Sequence, residues 1–306
     1  MREAACEGAE PNDRLTYKLG IFVAETSSIN ARWGASTEPG DDMKIVTIGS
    51  FKGGTGKTTL CAVLGTALTQ RGLKTRVIEL ETSTKPLARF EAAREFADLE
   101  SPRVTDLHVS GGQPDVQDWQ MAIRNQAEEA ARKGFDVLLI DTVSVWKPEV
   151  IAAHLVADLV ITTVTESPVD LYQIMPTNGP SMQATRPYSQ LIDLVRRHAQ
   201  KLNKQDFGWF MCLNRKSHLI TRVGESVREQ LLDFCEESNI DLLEGLVDRV
   251  GYRIMMETGV TPVDDIAGEP VQRSYLAART ESRRLAAQVI RRLDLQMSRS
   301  PEVATA

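Results

Sequence analysis

The sequence predicts a doubly wound α/β fold, a mostly parallel sheet flanked by helices. Three observations predict it. From Met43 onward, apolar strand-like runs alternate with longer helical stretches, the pattern of consecutive βαβ units. Runs such as DVLLID (136–141) and DLVITTV (158–164) hold continuous apolar stretches without polar alternation, as strands covered on both faces do. Finally, KIVTIG (44–49) passes through a glycine-rich turn straight into the helical stretch TLCAVLGTALTQRG (59–72).

In chain order the strand candidates are Lys44–Gly49, Thr75–Leu80, Arg103–Val109, Phe135–Ile140, Leu159–Val164, Trp209–Leu213 and Asp241–Leu246. Helical segments between them include Thr58–Gln70, Val116–Lys133, Arg222–Glu237 and Gln272–Leu293. With no internal repeat, residues 43–295 read as one domain. Residues 1–42 show no sustained period and end in GASTEPGDD, so they read as a poorly ordered N-terminal extension, with LGIFVA (19–24) as a candidate docked strand. Residues 296–306 read as a flexible tail.

Composition excludes several classes. Hydrophobic residues make up 42% and charged residues 25%, the balance of a soluble globular protein. No run approaches the roughly 18 apolar residues of a membrane helix. Cys6, Cys61, Cys212 and Cys235 form no CxxC pair and read as reduced thiols, which points to the cytoplasm. His108, His154, His198 and His218 are scattered, which argues against a zinc site. The net charge of -6 is unevenly spread: residues 1–42 carry four bases against eight acids, whereas Arg273–Arg299 holds seven arginines against Glu281 and Asp294.

The turn after the first strand is an anion cradle. Gly53, Gly54 and Gly56 let backbone N–H groups approach phosphate oxygens, with Thr55 among them, and the helix start adds partial positive charge. Lys57 is placed to reach the β- and γ-phosphates, the Thr58 hydroxyl to ligate Mg²⁺, and Thr59 to extend the cradle toward the α-phosphate. ATP with Mg²⁺ is the expected occupant.

The pattern K-G-G-x-G-K-T-T over Lys52–Thr59 resembles the deviant Walker A motif of the ParA/MinD family. That resemblance implies a P-loop NTPase fold of the SIMIBI/ParA type and ATP hydrolysis. It also implies a homodimer when ATP is bound, with Lys52 contacting phosphate across the dimer. RVIELETS (76–83) stands where the family has LIDLDPQ, so the resemblance gives Glu81 the positioning of the attacking water and Glu79 a place near the Mg²⁺ shell. FDVLLIDT (135–142) resembles the Walker B strand, which makes Asp141 a Mg²⁺ holder through water. Most members follow it with a glycine whose N–H meets the γ-phosphate; here the residues are Thr142, Val143, Ser144, Val145 and Trp146. Asn214 and Arg215 end a strand where the family places the asparagine that reads adenine.

The stretches VITTVTESPVDLYQIM (160–175), LNRKSHLITRVGESVREQL (213–231) and VDRVGYRIMMETGVTPVDDI (247–266) resemble the MipZ-like branch. Its members are bacterial dimers that bind DNA non-specifically, interact with ParB and position the division machinery. The resemblance therefore implies non-specific DNA and a ParB-like or division partner, in a nucleoid-associated cytoplasmic protein. The ending SRSPEVATA (298–306), small and polar, argues against a membrane-binding tail. Two alternatives stand beside this reading: a hydrolysis-deficient nucleotide-binding scaffold and an accessory ATPase of DNA transfer.

Three basic clusters are candidates for DNA phosphate contact: Arg196, Arg197, Lys201 and Lys204; Lys216 and Arg222; and Arg279, Arg283 and Arg284. Arg279 and Arg283 share a helix face, while Leu276, Leu285 and Val289 are expected on or near the buried side.

Overall fold

In the computed structural model, residues 43–81, 83–109, 112–175, 187–201, 208–264 and 273–295 are described. Seven strands form one parallel sheet: β1 (Lys44–Gly49), β2 (Thr75–Glu79), β3 (Arg103–Asp106), β4 (Val137–Asp141), β5 (Leu159–Val164), β6 (Gly208–Leu213) and β7 (Asp241–Glu244). Their order is β3-β2-β4-β1-β5-β6-β7, and every pairing is parallel. Each expected strand is present. The extension with LGIFVA, Cys6 and the tail lie outside the described residues.

The helices are α1 (Lys57–Thr69), α2 (Pro86–Phe96), α3 (Val116–Arg132), α4 (Pro148–Val156), α5 (Pro168–Leu171), α6 (Pro187–Lys201), α7 (Arg222–Glu237), α8 (Val250–Thr258) and α9 (Arg273–Arg292). No helix among the described residues is long and apolar enough to cross a membrane.

Strand pleating sends alternate residues to opposite faces, and both faces are covered. On one side Val77, Leu139, Ile161 and Cys212 pack with Leu64 of α1 and with Leu285 and Val289 of α9. On the other, Leu138 and Ile140 pack with Ile123 of α3 and Ala153 of α4. Val160 and Met211 pack with Ile192 of α6 and Leu231 of α7. Burying each such aliphatic side chain contributes about 1.5–3 kcal/mol, which is why the strands read as continuous apolar runs. Leu276 departs from expectation: it is 48% exposed, while Leu285 and Val289 are fully buried. Nine residues separate Leu276 from Leu285, about two and a half helical turns, so the two leucines face opposite ways.

A buried ion pair fastens the segment after α8. The Arg94 guanidinium, wholly buried, donates from Nη1 to Asp264 Oδ2 at 2.8 Å and from Nη2 to Oδ1 at 2.9 Å. Gln70 Nε2, just past α1, reaches the same Oδ1 at 2.8 Å. Three separated stretches of chain thus converge on one carboxylate, which braces the helices on the α1 side of the sheet.

Candidate nucleotide site

Strand β1 lies at the centre of the sheet, between β4 and β5. The order reverses direction beside it, and its C-terminal end opens onto the crevice where such sheets take ligands. The loop from Ser50 to Gly56 fills that end. Gly54 and Gly56 hold φ of +79° and +84°, the left-handed region. At Gly56 a Cβ would also sit 2.6 Å from Asn214 Nδ2, so glycine is required there twice over. Gly56 caps α1 without any side-chain bond, which leaves the first-turn N–H groups of α1 for an anion.

Lys57 is 93% buried, and its Nζ donates to Ser144 Oγ at 2.5 Å and Lys52 O at 3.4 Å. Burial pulls its ammonium below the usual lysine range, and the Asp141 charge opposes that pull. Asp141, at the end of β4, lies in register with Ile48 and Glu79. Thr58 Oγ1 donates to its Oδ2 at 2.7 Å. The other oxygen, Oδ1, is buried and has no hydrogen-bond partner. Burial pushes the Asp141 carboxyl up to about 7 against the Thr58 hydrogen bond and the Lys57 charge. A hydroxyl beside an orphaned, buried carboxylate oxygen is a donor set that suits a hard divalent cation such as Mg²⁺.

Around this centre the other expected residues take definite places. The Thr55 hydroxyl is 2.7 Å from that of Thr163, tying the loop to β5. Gly53 and Gly54 are exposed at the mouth, and Thr59 is half-buried in the first turn of α1. Asn214 is buried; Nδ2 donates to Thr55 O at 2.8 Å and Gly56 O at 3.4 Å, and Oδ1 accepts from Leu246 N at 3.0 Å. Its amide therefore clamps the phosphate loop to the chain beyond β7. Arg215, at φ +52°, donates to Gly54 O at 2.6 Å and to Asp248 Oδ2 at 2.9 Å. Lys52 is ion-paired with Asp170 of α5.

The two glutamates at the end of β2 and just beyond it diverge. Glu79 is fully buried and accepts from Leu87 N at 2.8 Å and Ala88 N at 3.2 Å, the N-terminus of α2. Lys85 at that cap offers no side-chain bond, so Glu79 supplies the cap from the sheet. Burial still raises its carboxyl, more than these bonds lower it. Glu81 is half-buried and accepts from Ser83 N at 3.0 Å and from the Ser83 hydroxyl, which together lower its carboxyl.

A family profile described as ATPase MipZ matches residues 44–297. The chain belongs to the MipZ ATPase family. No protein with a curated description matches the chain by sequence. Several solved structures share the fold of this MipZ-family chain. A plasmid partition protein of Borrelia burgdorferi B31 bound to AMPPNP is 16% identical at TM-score 0.54, over 81% of this chain and 99% of that one. A variant of Cyanothece McdA in complex with ATP is 14% identical at TM-score 0.53, over 85% and 99%. The septum site-determining protein MinD of Pyrococcus horikoshii OT3, complexed with Mg-ADP, is 17% identical at TM-score 0.50, over 81% and 96%.

In this MipZ-family chain the basic clusters fall on both sides of the sheet. Arg196 of α6 lies over the Trp209 ring, 5.1 Å from its centroid, with Arg197 and Lys201 exposed on the same helix. Lys204 lies outside the described residues. The second and third clusters meet at Glu244, which pairs with Lys216 at 3.9 Å, Arg228 at 3.2 Å and Arg284 at 3.3 Å. Arg222 and Arg283 are exposed nearby in sequence. Arg279 is engaged elsewhere, donating to Pro262 O at 3.0 Å and Asp264 O at 2.8 Å.

Sequence reasoning missed several residues that touch the phosphate loop, among them Asp170, which holds Lys52, Ser144, which meets Lys57, and Thr163, which meets Thr55. The only local signal was for Ser144, a hydroxyl three residues beyond Asp141.

Proposed function

We propose that this chain is a slow ATPase switch. It dimerises when it holds ATP, and the ATP dimer binds DNA without sequence preference. Its task is chromosome or plasmid partition or the positioning of a division site, with a ParB-like or division protein as partner. The observation that carries the reading is the Thr58–Asp141 pair, with Asp141 Oδ1 orphaned beside Lys57 at the mouth of a glycine loop. Lys57 and the N–H groups of Gly53–Thr59 bind the β- and γ-phosphates. Thr58 and Asp141 hold Mg²⁺, whose charge offsets that of the phosphate oxygens. Lys52 reaches the partner subunit's nucleotide, and Glu81 orients the attacking water. Asn214 and Arg215 keep the loop in shape under the nucleotide. That proteins of the same fold were solved with AMPPNP, ATP and Mg-ADP supports the ligand class.

The test is calorimetry of Mg²⁺-ATP binding. Lys57→Ala, which removes the main counter-charge in the cradle, is expected to abolish binding, and equal affinity in wild type and variant overturns the reading. One observation favours a second reading, a nucleotide-binding scaffold without turnover: Glu79 is committed to α2 rather than free at the site. Phosphate release from the dimer, measured with and without DNA, separates the two.

A further inference from the structure

The loop from β4 to α4 is fastened at both ends. Thr142 Oγ1 donates to Ile48 O at 2.9 Å, and the Trp146 ring packs edge-on against Phe51, with centroids 5.2 Å apart. Phe51 is itself part of the phosphate loop, immediately before Lys52. Between these anchors Ser144 presents its hydroxyl to Lys57 Nζ at 2.5 Å. An ammonium can only donate, so the Ser144 oxygen accepts, and its own proton remains to be given elsewhere. Among the described residues, Lys57 is its one hydrogen-bond partner. The chain has no glycine between Asp141 and Pro148, and the group this loop sets against Lys57 is a side-chain hydroxyl.

We propose that Ser144 is a ligand of the terminal phosphate: its hydroxyl donates to a γ-phosphate oxygen of bound ATP. The proposal rests on the ATP-site reading above. Lys57 Nζ is the group aimed at the β- and γ-phosphates, and Ser144 Oγ is one hydrogen bond away from it, on the side of the loop that follows Asp141. An O–H donated to an anionic oxygen in a partly water-excluded site is a strong, directional contact. ADP lacks the accepting group, so Ser144 contributes to telling ATP from ADP. Because Trp146 and Phe51 fix the loop to the phosphate loop, the donor is held in place before the nucleotide arrives, which limits the ordering cost of the contact.

The experiment is calorimetry on the full chain with Mg²⁺-AMPPNP and Mg²⁺-ADP, for wild type, Ser144→Ala and Ser144→Thr. Ser144→Ala is expected to weaken AMPPNP binding about tenfold or more, as loss of a hydrogen bond to a charged group does, and to leave ADP affinity within about twofold. Ser144→Thr, which keeps the hydroxyl, is expected to retain most of the preference for AMPPNP. Unchanged AMPPNP affinity in Ser144→Ala, or equal loss for both nucleotides, overturns the proposal. A wild type that binds neither nucleotide overturns the site reading itself and this proposal with it, a result distinct from either of those.

Discussion

Lys52 is held by Asp170 of its own chain. The Asp170 side chain is only 2% exposed, and its second oxygen accepts from Thr165 N and Thr165 Oγ1, both at 2.8 Å. In the dimer proposed above, Lys52 would first have to leave this carboxylate to reach a nucleotide in the second subunit, which would make the pair a restraint on dimerisation. Lys52→Ala is expected to bind ATP yet remain monomeric with a slowly hydrolysed analogue, as read by light scattering. Asp170→Asn keeps acceptors for Thr165 but loses the charge. It should lower the protein concentration needed for the dimer by about thirtyfold, the effect of ~1 kcal/mol from a partly exposed pair in each of the two subunits. A Lys52→Ala protein that dimerises like wild type confines Lys52 to its own subunit.

The two glutamates should separate by assay. Glu79 caps α2, so Glu79→Ala is expected to cost about 1–2 kcal/mol of stability, visible as a lower melting temperature. Among the described residues Glu81 hydrogen-bonds only with Ser83, and the Lys147 charge also acts on it. Glu81→Ala should slow phosphate release by about a hundredfold and trap the ATP dimer, with melting unchanged. Unchanged turnover in Glu81→Ala moves the water-positioning role elsewhere, with Glu79 the next candidate.

What the sequence made legible follows from contiguity. Strands buried on both faces are unbroken apolar runs, and the phosphate loop is eight adjacent residues, so both could be read along the chain. Contacts between distant residues could not. Ser144 meets Lys57 across 87 residues, and nothing near Asp170 announces that it holds Lys52. Glu79 was legible as an acid at a strand end, but its commitment to α2 depends on where Leu87 and Ala88 point their N–H groups. Asn214 was likewise legible as a strand-end amide, while its clamp on Thr55 and Gly56 required the fold.

A second titrating group gives a pH prediction. His154 is fully buried; Nδ1 faces Val150 O at 2.7 Å and Nε2 faces the Tyr188 hydroxyl at 2.9 Å. Burial depresses the imidazole to about 4, against about 6.5 in an unfolded chain. Protonation therefore favours the unfolded state. The contribution is fully present above pH 6.5 or so and is lost as pH falls toward about 4, by on the order of 3 kcal/mol. Imidazole NMR should show His154 neutral at pH 5.5, with the melting temperature falling between pH 7 and pH 5. A midpoint near 6.5 for this ring removes its part in acid destabilisation.

The last prediction concerns DNA. Exposed Arg222, Arg283, Arg197 and Lys201 are the side chains best placed for phosphate contact, because Arg279 is engaged with Pro262 and Asp264, and Arg284 and Lys216 share Glu244. Contact of this kind carries no base reading, so two unrelated sequences should bind alike. A dimer doubles the number of contacts and makes a weak patch effective only with ATP bound. Affinity of the ATP-trapped dimer should fall steeply with salt, with a log–log slope of about −0.9 per phosphate neutralised. Arg222→Ala and Arg283→Ala should weaken binding equally for both sequences and flatten the slope by about 1.8 each, about 0.9 for each of the two copies in the dimer. Arg279→Ala should instead lower the melting temperature, since its guanidinium braces the segment that carries Asp264. Absence of binding at low salt, or strong preference for one sequence, removes DNA from the proposed function and leaves a nucleotide switch that acts through protein partners alone.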